Sequence, residues 1–311
     1  MASNITVDPF ENCTSVTPLC PVEATTYGYT PNLAANVILL VVFGLTASAQ
    51  LGLAIKTRLP AFGTVVTAGC VAEAIGYIGR IIMHNNPWNE NGFMIQIVCI
   101  ILAPSFLAAG IYLTLKHIIL TLGPSKSRLP PYLYTWIFIS ADALSIILQA
   151  AGGGIAAGSD NDPDLQDIGN NLMIAGVAVQ VATMAICFLL AIDFGVALVR
   201  SKSISRKGYG GGEGLGGGHE EYSRTGRFRV YLVCTCLAFT TIFIRCIYRL
   251  PEMAGGWGGS LMRKETDFMI LDGAMIAIAC ILLTVAHPGI FFPDMRIRPS
   301  KLQSPSMEEL K

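Results

Sequence analysis

Seven separate runs of this chain stay apolar for the distance needed to cross a bilayer. A helix rising 1.5 Å per residue needs about 20 such residues to span a hydrocarbon core of about 30 Å. The runs cover 33–55, 62–83, 93–119, 132–154, 172–199, 230–250 and 268–286. They are too long for barrel strands and lack strict alternation, so helices are the expected form. The predicted fold is all-α: a polytopic membrane protein of seven transmembrane helices. Composition agrees. Charged residues are 14% and hydrophobic residues 52%, where a soluble domain carries about 25% charged. That excludes disorder, collagen and most soluble enzymes. The 21 basic and 21 acidic residues cancel, so no net field draws the chain to nucleic acid.

Orientation follows from the loop charges. Lys56 and Arg58 follow the first run, and Lys126 and Arg128 follow the third. Arg200, Lys202, Arg206, Lys207, Arg224, Arg227 and Arg229 lie between the fifth and sixth, and Arg296, Arg298 and Lys301 follow the seventh. These alternate with a loop free of Lys and Arg at 84–92 and with Asp160, Asp162, Asp164 and Asp167 at 156–169. Arg263 and Lys264 are the one exception. The N-terminus is expected outside and the C-terminus in the cytosol. No basic and apolar leader precedes Tyr27. The chain then divides into an extracellular or lumenal tail (1–31), a seven-helix domain (32–289) and a cytosolic tail (290–311). A Gly-rich stretch without a Gly-Lys-Ser/Thr ending marks 201–227 as a flexible cytosolic loop rather than a phosphate cradle. Asn4 and Asn12 head glycosylation acceptor triplets on the outer tail. Cys13 and Cys20 share that oxidising compartment and can close a disulfide. The other seven cysteines fall within spans as small apolar packing residues.

Ionisable side chains inside a bilayer are costly and mark function. Here they are Glu73, Arg80, Asp142, Asp193, Arg245, Arg249 and Asp272, with Glu252 just past the sixth run. Helical rise puts Glu73 and Asp142 near the midplane and Arg80, Arg245, Arg249, Glu252 and Asp272 toward the outer end. Asp193 alone falls near the cytosolic end. Glu73 and Arg80 are two turns apart, as are Asp142 and Gln149. Arg245, Arg249 and Glu252 form one stripe at i, i+4, i+7. Structural ion pairing is one reading of this layer. The other is an outward-facing polar pocket that holds the head of an amphipathic ligand: guanidinium groups for phosphate or carboxylate, and Glu73, Asp142 and Asp272 for an amine. Tyr77, Tyr112 and Tyr248 are candidate lining aromatics. Pro104 frees a carbonyl in the third run and should kink it.

Several stretches together resemble the fungal lipid-translocating exporter family, which includes aminocholesterol-resistance proteins and the sphingoid long-chain base exporter. They are Tyr27-Gly-Tyr-Thr-Pro31, Glu73-Ala-Ile-Gly-Tyr-Ile-Gly-Arg80, Leu102-Ala-Pro-Ser-Phe-Leu-Ala-Ala-Gly-Ile-Tyr112 and Asp142 through Gly154. Ile244-Arg-Cys-Ile-Tyr-Arg-Leu-Pro-Glu252, Glu265 through Asp272, and His287-Pro-Gly289 complete the set. The resemblance implies a seven-helix exporter of sphingoid bases or related membrane lipids, in the plasma membrane or an endomembrane such as the vacuole, linked to resistance against toxic lipids or drugs. It implies no catalytic site, cofactor or metal.

Two other classes are open to the sequence. A seven-helix lipid receptor fits the topology, but the third and seventh spans end Leu115-Lys-His-Ile and Ala286-His-Pro-Gly, without the Asp-Arg-Tyr or Asn-Pro-x-x-Tyr of rhodopsin-type receptors. A membrane metal hydrolase would have to draw its ligands from His117, His287 and Asp193 near the cytosolic face.

Overall fold

The computed structural model describes residues 13–122, 130–159, 162–207, 226–256 and 258–291. Asn4, Asn12, Lys126, Arg128, the Gly-rich stretch 208–225 with His219, and the tail from 292 lie outside the described residues. Six long helices come first: α1 (Leu33–Thr57), α2 (Pro60–Asn85), α3 (Glu90–Leu122), α4 (Pro131–Ala157), α5 (Pro163–Lys207) and α6 (Gly226–Ala254). The seventh span, α7, is composite. An α-turn at Glu265–Asp267 and a π-helical stretch at Phe268–Ala274 lead into an α-helix at Met275–Val285. A short α8 (Pro288–Phe291) follows. These are seven spans long and apolar enough to cross a membrane.

Local chemistry sets several ends. The Asn32 side chain accepts from the Ala35 N–H at 3.1 Å and caps α1. Proline opens α2, α4, α5 and α8, where its fixed φ suits a helix and its missing N–H costs nothing. The helices outrun the apolar runs. In α5, 201–207 are helical, so the loop expected at 201–227 begins later, and Asp164 and Asp167 belong to the helix instead of the preceding loop. Hydropathy marks the thickness of the bilayer, whereas a helix continues into water as far as its residues allow. Acid at an N-terminus, such as Asp164 in the first turn, favours that extension.

The spans close a ring. Each packs on its chain neighbours, α7 returns to α1, and α3 also reaches α6 while α2 touches α7. More of α3 is buried than of any other span. Tight backbone approach holds the pairs. A Cβ on Gly79 would stand 2.6 Å from the Gly92 carbonyl, and one on Gly152 would stand 2.6 Å from the Gly169 carbonyl. Polarity is inverted relative to a soluble globule. Leu45, Ile55, Trp136, Ile147 and Leu189 are exposed, while Glu73, Arg80, Asp142, Arg245, Arg249 and Asp272 are buried. Such a surface is stable only against lipid, so the chain is an integral membrane protein.

Candidate functional site: a buried charge layer

The charges gather where α1, α2, α3, α6 and α7 meet. Asp272 is the pivot. Its Oδ1 lies 2.7 Å from Arg245 Nε and accepts from Arg249 Nε at 3.0 Å. Arg249 Nη1 also donates to Glu252 Oε2 at 2.9 Å. Asp272 stands inside the π-helical stretch, a local widening common at functional sites. Arg245 Nη2 donates to the Ile100 carbonyl. Ile100 is four residues before Pro104, whose missing N–H leaves that carbonyl free. The guanidinium takes the place of a helix bond.

Arg80 is held differently. The two-turn spacing puts it on one face with Glu73, but the Arg80 side chain turns toward the tail that precedes α1. Its Nε donates to Asn36 Oδ1 at 2.8 Å. Its Nη2 donates to Glu265 Oε1 at 3.2 Å and to Tyr29 Oη at 3.3 Å. The Phe268 ring takes Arg80 Cζ at 4.2 Å and Arg249 Cζ at 5.3 Å, a cation–π contact with each.

The tail before α1 covers this layer. Gln96 Nε2 donates to Tyr27 Oη at 2.7 Å, and Asn32 N–H donates to Glu265 Oε1 at 2.7 Å. His84 Nδ1 lies 2.7 Å from the Pro31 carbonyl. Burial pushes the Tyr27 and Tyr29 hydroxyls above the usual phenol range, so both stay neutral. Farther out, Cys13 and Cys20 are joined by a disulfide. The tail packs against Arg80 and Phe268 against Arg80 and Arg249, and Arg80, Arg245 and Arg249 are at most 2% exposed.

Two carboxyl groups stand apart. Both oxygens of Glu73 and both of Asp142 are buried without a hydrogen-bond partner. Glu73 lies within electrostatic reach of Arg245, Asp272 and Arg249. Asp142 lies on α4, within electrostatic reach of Tyr112, Cys187 and Cys246. Gln149 does not serve Asp142, although they share a face; its Nε2 donates to Gln180 Oε1 at 3.1 Å. The Tyr77, Tyr112 and Tyr248 hydroxyls are buried and unpartnered. Tyr77 and Tyr248 lie in the reach of Asp272, and Tyr112 in that of Asp142.

Sequence reasoning about charged residues overlooks Asn36, Tyr29, Glu265 as the Arg80 partner, and Phe268. One signal was available: the Asn36 amide one turn into the first span, at the depth of Arg80. For a metal site, His117's side chain lies outside the described residues, and His287 Nδ1 accepts from the Gly289 N–H at 3.1 Å. Among the described residues no three His, Cys, Asp or Glu side chains group as metal ligands.

Fold and site together define a seven-helix integral membrane protein with a charged interior. Residues 66–295 match the family described as RTA1 like protein, and the chain belongs to that family. The Saccharomyces cerevisiae (strain Lalvin EC1118 / Prise de mousse) sphingoid long-chain base transporter RSB1 is 34% identical over 283 residues, covering 85% of this chain and 74% of that protein. Protoporphyrin uptake protein 1 of Saccharomyces cerevisiae is 28% identical over 228 residues, 73% of this chain and 68% of its own. Protein RTM1 of the same species is 25% identical over 242 residues, 76% and 69% respectively. No solved structure matches the chain. The resemblance to fungal lipid exporters drawn from the motifs is thus upheld.

Proposed function

We propose that the protein is a carrier that translocates amphipathic lipids bearing an amine, sphingoid long-chain bases and their relatives, and so confers resistance to toxic lipids or drugs. One observation carries this reading. Arg80, Arg245 and Arg249 each meet a carboxylate in Glu265, Asp272 or Glu252. That leaves Glu73 and Asp142 with no hydrogen-bond partner among the described residues. A buried carboxyl without a hydrogen bond is costly, and a cationic amine supplies what it lacks. RSB1, a sphingoid long-chain base transporter, points to the same head group. Glu73, at mid-depth beside the arginine layer, is the step through which the amine passes. The layer, with Tyr77 and Tyr248, steers it toward the outer end, and the chain of the lipid lies among apolar side chains. The lipid is moved without chemical change, in the plasma membrane, with the N-terminal tail outside.

The test is a flip assay with purified protein in liposomes. It compares a fluorescent long-chain base, its N-acylated form and a phosphatidylcholine, with and without a proton gradient. The base should move fastest, and Glu73→Gln should reduce its rate to that of protein-free vesicles while the variant stays monodisperse. A wild-type rate for the base equal to that of empty vesicles overturns the reading.

A further inference from the structure

A cavity of about 330 Å³ opens between α3, α5 and α6, and none of the arginine-layer side chains lines it. Its walls include Ile111, Ile118, Phe188, Phe194, Leu232 and Phe239. The hydroxyl of Thr235, which also lines it, donates to the Tyr231 carbonyl in its own helix at 2.9 Å. Nothing there asks for a polar ligand atom. The cavity lies toward the helix ends that the basic loops mark as cytosolic. Its midplane end is different. Cys187 and Ile111 line that end, and next to them stand Tyr112 and Asp142. Asp142 is 2% exposed with both oxygens unpartnered, and the Tyr112 hydroxyl is also without a partner. Asp142 lies within electrostatic reach of both Tyr112 and Cys187. Among the described residues no arginine acts on it electrostatically, although Cys246, beside Arg245, is within its reach.

We infer that Asp142, Tyr112 and the α3–α5–α6 cavity form one binding site for a single-chain aliphatic amine, separate from the arginine layer. The ammonium sits on the Asp142 carboxylate with the Tyr112 hydroxyl beside it, and the alkyl chain fills the apolar cavity. A chain without an amine leaves Asp142 unmatched, and an amine without a long chain leaves the cavity unfilled. The site therefore selects for both features together. The geometry also gives a direction. With the head at mid-depth and the chain toward the cytosolic end, the ligand already has the orientation of a lipid in the outer leaflet. The site rests on the carrier reading above and gives it a reoriented intermediate.

Gly195 provides the decisive variant. It lines the cavity, and a Cβ placed there meets nothing within 4 Å. Gly195→Leu thus directs a side chain into the cavity from an open position, and Ala191→Phe does so from another turn of α5. The experiment uses the full chain in phosphatidylcholine nanodiscs, with octadecylamine, octylamine and N-acetyl-octadecylamine as probes, the first also carrying a mid-chain diazirine. Wild-type protein should prefer octadecylamine to both others, and the diazirine should label peptides of α3, α5 and α6 around the cavity. Both filling variants should weaken octadecylamine about tenfold or more and leave octylamine unchanged. Asp142→Asn should erase the preference over the N-acetyl form. If wild type binds none of the amines, the carrier reading and this site fall together. If wild type binds and translocates but all three variants match it, or the label maps elsewhere, this site alone is overturned. Labelling that persists unchanged in Asp142→Asn identifies the occupant as a bulk acyl chain and also overturns it.

Discussion

One oxygen of Asp272 serves two guanidinium groups, Arg245 at 2.7 Å and Arg249 at 3.0 Å. Breaking a buried pair by removing one partner costs about 3–5 kcal/mol, because the remaining charge stays buried. Asp272→Asn should therefore lower the Tm of the detergent-solubilised protein sharply and reduce its yield. Glu73 and Asp142 are opposite cases. Neither has a hydrogen-bond partner to lose, so Glu73→Gln and Asp142→Asn should leave the Tm unchanged or raise it while transport falls. Structural and functional carboxyls thus separate in one paired measurement of melting and flipping. A large Tm loss in Glu73→Gln would show that this side chain locks the bundle. Asn36 lies between the two groups. Its amide joins Arg80 Nε at 2.8 Å to the Asn32 carbonyl at 2.6 Å. Asn36→Ala strands a buried donor on Arg80, at a cost of about 1–3 kcal/mol, readable as a smaller Tm shift than that of Asp272→Asn.

At the scale of the element, α3 and α7 each depart from an ideal helix where the charges meet them. In α3 the departure is Pro104, which leaves the Ile100 carbonyl to Arg245. Pro104→Ala restores an N–H that competes for that carbonyl, straightens α3 and releases the guanidinium. Transport should fall although helix stability rises, and far-ultraviolet circular dichroism with the flip assay reads both. A variant with wild-type flipping would reduce the proline to a passive kink. In α7 the departure is the π-helical stretch carrying Asp272. These two elements mark what could be read from the chain and what could not. Pro104 announces a free carbonyl because its chemistry is local. The π-turn has no compositional mark, since it differs only in which carbonyl each N–H chooses. Charged positions were visible through their cost in a bilayer, and their depths through helical rise. Partners were not, because periodicity fixes a face and not a neighbour: Arg80 finds Asn36 44 residues before it and Glu265 185 residues after it. The seven spans were legible for the simplest reason, that a bilayer imposes a minimum apolar length.

Across the whole molecule the two ends of the bundle differ. At one end the tail from Tyr27 to Asn32 ties α2, α3 and α7 together through Arg80, His84, Gln96 and Glu265. At the other, Lys56 and Arg58 lie at the exposed turn between α1 and α2. Basic residues at a helix end are retained in the cytosol more readily than acidic ones, so we propose that the tied end lies outside. A disulfide between Cys13 and Cys20 beside the tied end fits an oxidising compartment. In the carrier proposed above, export requires the tail contacts to part as the head group leaves, while entry uses the end without them. Single cysteines placed at exposed Glu23 and Lys56 test this arrangement. An impermeant maleimide should label Glu23→Cys in intact cells and Lys56→Cys only after permeabilisation. The reverse pattern would place the tail in the cytosol and turn the carrier into an importer, because the same polar layer would then discharge its ligand inward.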